Sequence, residues 1–319
     1  MSILQALEII VPTALFVAAP LIFTALGGVF SERSGVVNIG LEGLMVIGAF
    51  VGIVFNLTFL DAFGNATLWL AMIAAMAAGG VFALLHAVAT ISFRADQVVS
   101  GVAINFLAVG LTLFLVKIIY GKGQTDRISE SFNKFDVPFL SDIPIIGPIL
   151  FSGGYITSYI AILFAVIVWY VIFKTPFGLR LRSVGEHPMA ADTMGINVTR
   201  MRYIGVVLSG VFAGLGGSVY ATIITREFGH ATISGQGFMA LAAMIFGKWH
   251  PLGAMGAALF FGLAQGLSII GGSIPVLEDI PSVYLLITPY VLTILALTGF
   301  IGRADAPKAL GAPYIKGKR

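Results

Sequence analysis

The sequence predicts an all-α polytopic membrane protein of about nine passages, within a range of 8–10, including a broken or re-entrant segment near 237–250. Composition is the first observation behind this. The chain is 58% hydrophobic and 10% charged, with a mean hydropathy of +1.00, whereas soluble domains carry about 25% charged residues. Most of its surface must therefore be solvated by lipid. Run length is the second. Apolar stretches at 9–30, 68–93, 98–116, 203–225 and 252–270 are each about 20 residues or longer, enough to cross a hydrocarbon core of about 30 Å at 1.5 Å per residue.

The first run, 9–30, follows eight residues without Lys or Arg, so it does not read as a cleavable signal and stays in the mature chain. The second, 36–55, is interrupted by Asn38 and Glu42 and surrounded by Gly35, Gly40 and Gly43. A carboxylate at mid-span costs about 2.5–3.5 kcal/mol on insertion scales. Two readings stand for Glu42: a broken helix whose freed backbone lines a polar cavity with Asn38, or a pair with Arg33 near the inner surface. Either way Glu42 faces protein rather than lipid.

The run 68–93 holds His86, read as a packed, hydrogen-bonded side chain. Asn105 in 98–116 and Gln265 in 252–270 are amides at membrane depth, able to donate to and accept from an uncharged polar solute, or simply to join helices. The segment 121–155, with Pro138, Pro144 and Pro148, is the longest outer loop, and its end lies along the membrane or dips into it. Spans at 156–173 and 283–301 complete the long set. The run 237–247 is too short to cross alone. Trp69, Trp169 and Trp249 fall near span ends and read as interfacial anchors.

Small residues recur at four-residue spacing: Ala71, Ala75, Gly79, Ala83; Gly210, Gly214, Ser218; and Ala254, Ala258, Gly262, Gly266. Such stripes let helix backbones approach closely where lipid removes the hydrophobic drive to associate. The hexapeptides at 23–28 (FTALGG) and 212–217 (FAGLGG) look alike and hint at a duplicated unit.

Charge sets the orientation. The stretch 174–202, KTPFGLRLRSVGEHPMAADTMGINVTRMR, sets Lys174, Arg180, Arg182, Arg200 and Arg202 against Glu186 and Asp192, and a loop this basic stays on the cytoplasmic side. Alternation then gives an outer N-terminus and an inner C-terminus. Only Lys117, Lys122, Arg127, Lys134 and Arg226 of the 18 basic residues fall outside. The organisation is one membrane domain over 1–302, with the coupling loop 174–202 and the outer loop 121–155, and a basic, mobile cytoplasmic tail at 303–319. Within 174–202, Glu186 to Gly195 reads as a short helix bounded by Gly185 and Gly195. Ala190 and Ala191 would allow close approach of a partner, and Met189 and Met194 offer adaptable apolar contact.

Several classes are excluded. There is no cysteine, hence no disulfide, thiolate metal site or cysteine nucleophile. No G-x-x-x-x-G-K-[ST] phosphate loop and no H-E-x-x-H occurs, and His86, His187, His230 and His250 are scattered, so neither cofactor nor metal nor catalytic residue is expected. Embedded charge is limited essentially to Glu42, thin for a proton- or sodium-driven carrier. Energy from a separate engine fits better.

The pairing of GVVNIGLEGLM (35–45) with GLRLRSVGEHPMAADTMGIN (178–197) resembles the permease subunits of bacterial ABC importers of the branched-chain amino acid/ribose-type superfamily. Together with GKWHPLGAMGAALFFGLAQGL (247–267), the stretch 31–45 is most similar to the nucleoside permeases, and the likeness runs over roughly 25–300. The resemblance implies a non-enzymatic subunit in a bacterial plasma membrane that translocates nucleosides by alternating access. Its implied partners are a cytosolic ATPase, a second homologous permease forming a heterodimer, and an extracellular substrate-binding lipoprotein. Gly185, Glu186, Met189, Ala190, Ala191, Met194 and Gly195 correspond to the ATPase-coupling segment, although His187, Pro188 and Met189 intervene between the acid and the alanines. Asn38, Glu42, Asn105 and Gln265 are the expected substrate pathway. A monosaccharide or branched-chain amino acid permease, and a self-sufficient secondary carrier or channel, are the alternatives.

Overall fold

The computed structural model describes residues 3–271, 284, 287, 291 and 305–317. Its helices run α1 (Ile3–Arg33), α2 (Leu41–Phe63), α3 (Thr67–Ala87), α4 (Gln97–Tyr120), α5 (Ile146–Leu150), α6 (Ile156–Lys174), α7 (Pro176–Glu186), α8 (Pro188–Thr193), α9 (Val198–Tyr220), α10 (Gln236–Phe246) and α11 (Pro251–Ile270). π-turns at Val88–Ser92 and Ala221–Thr225 extend α3 and α9. Strands β1 (Lys134–Phe135) and β2 (Gly154–Tyr155) pair antiparallel in the outer loop.

Six helical segments among the described residues are long and apolar enough to cross a membrane: Leu4–Arg33, Leu41–Ser92, Gln97–Tyr120, Ile156–Lys174, Val198–Thr225 and Pro251–Ile270. The second has 52 residues, more than twice the ~20 a span needs. It folds back at Gly64, whose φ of +51° ends α2, and α3 then packs along α2. The polytopic all-α expectation holds. The predicted passage 283–301 lies, apart from Tyr284, Ile287 and Val291, outside the described residues.

The glycine stripes pack the bundle. α3 and α9 share its most extensive contact, and the two predicted stripes on them face each other: a Cβ on Gly79 would strike the Gly210 carbonyl, and one on Gly214 would strike that of Ala75. Gly48 of α2 lies against the Gly214 backbone. The third stripe meets α1, with Gly262 against Ala14 and Ala18. The two similar hexapeptides also pack on each other, Gly27 against Phe212 and Gly216 against Thr24.

α4 turns Val99, Phe106, Phe114 and Ile118 outward. Trp249 departs from the anchor expectation. It is buried and donates its Nε1–H to Glu32 Oε2 at 2.5 Å.

Candidate coupling surface and intramembrane polar site

Between α1 and α2 the chain unwinds over residues 34–40, most of them buried, and each freed buried backbone group needs a partner. Ser31 and Ser34 close the end of α1: the Ser31 hydroxyl donates to Val36 O at 2.8 Å and the Ser34 hydroxyl to Ser31 O at 2.6 Å. Gly35 takes φ +90°, a conformation open to glycine. Val37 N–H donates to Gln97 Oε1 at 2.7 Å, and the Val37 carbonyl meets His86 Nε2 at 2.9 Å. Asn105 staples the far side, accepting from Gly43 N–H at 2.7 Å and donating to Ile39 O at 3.1 Å. Asn38 donates to the Ser209 hydroxyl at 2.6 Å and leaves its Oδ1 without a partner among the described residues.

The break is therefore present. Glu42, however, does not pair with Arg33. Its two oxygens accept from Gly235 N–H at 2.7 Å and Gly237 N–H at 2.6 Å, at the N-terminus of α10. Arg33 holds the opposite end of the same half-helix, donating through Nε to Trp249 O at 2.9 Å and through Nη2 to Lys248 O at 3.3 Å. An acid at the N-terminal end and a base at the C-terminal end both complement the helix dipole and satisfy orphan backbone groups. α10 thus hangs between the two charged residues that flank the break.

The structure brings Asn38, Glu42 and Asn105 to that break. Gln265 lies apart on α11, its amide 3.1 Å from Met239 Sδ on α10. Two further charged side chains are buried within the protein: Glu32 is 4% exposed and Arg202 2%. Sequence reading left Glu32 unremarked and placed Arg202 in the basic loop 174–202. Asn56, fully buried in α2 with neither amide atom paired among the described residues, was also missed.

The loop between α6 and α9 forms two helices rather than one short helix from Glu186 to Gly195. Thr175 caps α7, Pro176 opens it, and His187 (φ −142°, ψ 80°) breaks the chain before Pro188 opens α8. Gly195, at φ +80°, ends the turn, and Asn197 caps α9 by accepting from Arg200 N–H at 2.9 Å. Met189, Ala190, Met194 and Gly195 are exposed, Met194 at 82%. Ala191 and Gly185 are buried, Ala191 in the core and Gly185 against the Arg33 carbonyl. Glu186 stands within electrostatic reach of Arg33. Grooves of about 490 and 660 Å³ flank the projecting turn at 194–197, sharing Gly195, Ile196, Asn197 and Arg200. Nearby, burial and the Arg33 charge hold the His250 imidazole below its usual pKa, so it is neutral at pH 7.

The described part of the tail, 305–317, lies on the same face as α7 and α8, with Ala309 N–H donating to Gly185 O at 2.9 Å.

The profile of the family described as a branched-chain amino acid transport system permease component matches residues 10–297. The chain belongs to this permease family. This permease is 69% identical over 319 residues, 100% of both chains, to the guanosine ABC transporter permease protein NupQ of Bacillus subtilis (strain 168). It is 52% identical over 318 residues, 100% of both chains, to the nucleoside ABC transporter permease protein NupC of Lactococcus lactis subsp. cremoris (strain MG1363). A second guanosine ABC transporter permease protein of the same Bacillus, NupP, is 30% identical over 267 residues, covering 82% of this permease and 74% of NupP.

Proposed function

We propose that the chain is the membrane-spanning subunit of a bacterial ABC importer for nucleosides, guanosine among them, in the plasma membrane. The single observation that carries this is 69% identity along the full length of a guanosine ABC permease. In this reading the chain makes nine passages, with the N-terminus outside and α7–α8 in the cytosol. A separate ATPase seats against Met189, Ala190 and Met194, and closure of the ATPase tilts the spans joined to α7 and α9. A substrate-binding lipoprotein delivers nucleoside at the outer face. Asn38, Glu42 and Asn105 stand beside the pathway. A heterodimer is favoured because the Bacillus with NupQ has a second guanosine permease, NupP, far less similar to this chain.

Cells expressing the complete importer should accumulate labelled guanosine and uridine, and not ribose or leucine, in a manner lost on deleting this chain. Uptake of ribose or leucine instead would overturn the nucleoside assignment. Because Ala191 packs inward, the docking face is better probed at Met194. Met194→Glu should lower guanosine uptake by about tenfold or more, as a charge in an apolar interface core costs over 1.4 kcal/mol, while membrane abundance stays that of the parent. Undiminished uptake in this variant would remove the docking role.

A further inference from the structure

The tail meets the end of α7, the break between α1 and α2, and α9 at one node, and it also lies against α8. Ala309 N–H donates to Gly185 O at 2.9 Å, at the end of α7. Gly311 N–H donates to Gly35 O at 3.3 Å, in the break between α1 and α2. Arg202, one turn into α9, donates through Nη1 to Ala312 O at 2.9 Å. Lys308 N–H reaches Glu186 Oε2 at 3.4 Å. Tyr314 lies beside Asp192 of α8, and the two share the wall of the larger groove.

The packing at the node leaves no slack. Ala309 is 8% exposed. A Cβ on Gly35 would sit 3.1 Å from Arg202 Nη2 and 3.3 Å from the Ala309 carbonyl, and a Cβ on Gly185 would strike the Arg33 carbonyl. Arg202 is 2% exposed, and its Nε and Nη2 have no hydrogen-bond partner among the described residues. The Ala312 carbonyl thus accepts a hydrogen bond from a buried guanidinium, a group that is costly to leave unpaired.

We propose that residues 307–314 are a strap in the coupling machinery, carrying displacement of α8 to the break at 34–40 and so to α10. This rests on the reading of α7–α8 as the ATPase-coupling surface. The reasoning is mechanical. α8 is six residues long and packs chiefly on α7 and α9. Energetic coupling is carried by chains of packed and hydrogen-bonded groups. Beside the packing of Gly185 on Arg33 and Gly35, the tail adds a hydrogen-bonded link from the α7–α8 region to Gly35, two residues from Arg33 and seven from Glu42, which hold the two ends of α10. Main-chain hydrogen bonds make it a fixed spacer rather than a solvated appendage.

The test uses the reconstituted importer. The chain has no cysteine, so Thr193→Cys and Phe238→Cys place spin labels on exposed positions of α8 and α10 alone. Trapping the ATPase with ATP and vanadate should change the label distance in the full chain and leave it unchanged when residues 305–319 are removed. Guanosine transported per ATP hydrolysed should fall by about tenfold in the truncated chain and in Ala309→Glu, the size of an ordinary coupling free energy, with Ala309→Ser retaining the parent ratio. An equal label displacement, or an equal transport ratio, without the tail would overturn the strap. So would failure of both Ala309→Glu and the truncated chain to assemble with the ATPase, which would make the tail a folding element. If the full chain itself shows no displacement, the coupling reading falls and takes the strap with it.

Discussion

Gly48→Ala is expected to destabilise the protein strongly. Its Cβ would fall on the carbonyl oxygen, Cα and carbonyl carbon of Gly214. These are main-chain atoms of a helix that is itself pressed against α3 through Gly79 and Ala75. A flexible side chain could rotate away, but three crossing backbones can separate only together. Overpacking of this kind costs about 1–3 kcal/mol or more. The variant should show a lower melting temperature in detergent and lower abundance in the membrane. Gly110→Ala is the matched control: nothing lies within 4 Å of its Cβ position on α4, so the change should stabilise the helix by about 0.5–1 kcal/mol. Equal melting temperatures for Gly48→Ala and the parent would refute the three-helix contact.

The second large effect falls on Glu42. Glu42→Ala removes the acceptor of the Gly235 and Gly237 N–H groups and leaves a part-buried and a buried donor unpaired. Hydrogen bonds to a charged group are worth about 1.5–3 kcal/mol each. α10 should lose its fixed depth, and guanosine uptake should fall by about a hundredfold or more if both bonds are needed for transport. Glu42→Gln keeps one carbonyl oxygen but turns an amide N–H₂ toward a backbone donor, so it should recover little. Transport by Glu42→Ala at the parental rate, with parental membrane abundance, would show that α10 needs no anchor.

The sequence exposed what hydropathy and spacing can carry. The spans emerged because lipid imposes one length on every passage. The break at 34–40 emerged because Gly35, Gly40, Asn38 and Glu42 all interrupt an apolar run. The three small-residue stripes were visible, but which stripe faces which was not, since Gly79 and Gly210 belong to helices whose pairing has no local signature. The partner of Glu42 lies 193 residues away, and Trp249 lies 217 residues from Glu32. Hydropathy near a span end cannot separate a Trp that sits in the interface from one that donates to a buried acid. The docked tail left no trace at all. It binds through the N–H groups of Ala309 and Gly311, which every non-proline residue carries, while its lysines give it the composition of a solvated end.

The suspension of α10 between Arg33 and Glu42 makes the intervening stretch a measured length. Adding or deleting one residue within 34–40 would shift the acid relative to the base and misalign both attachments of the half-helix at once. The outer loop 121–155 is bonded to the 226–229 turn through Thr125 and Ile128 near its start and holds no half-helix at both ends. Across related permeases, insertions and deletions should accumulate in that loop and be absent from this short stretch, whatever substitutions the stretch accepts.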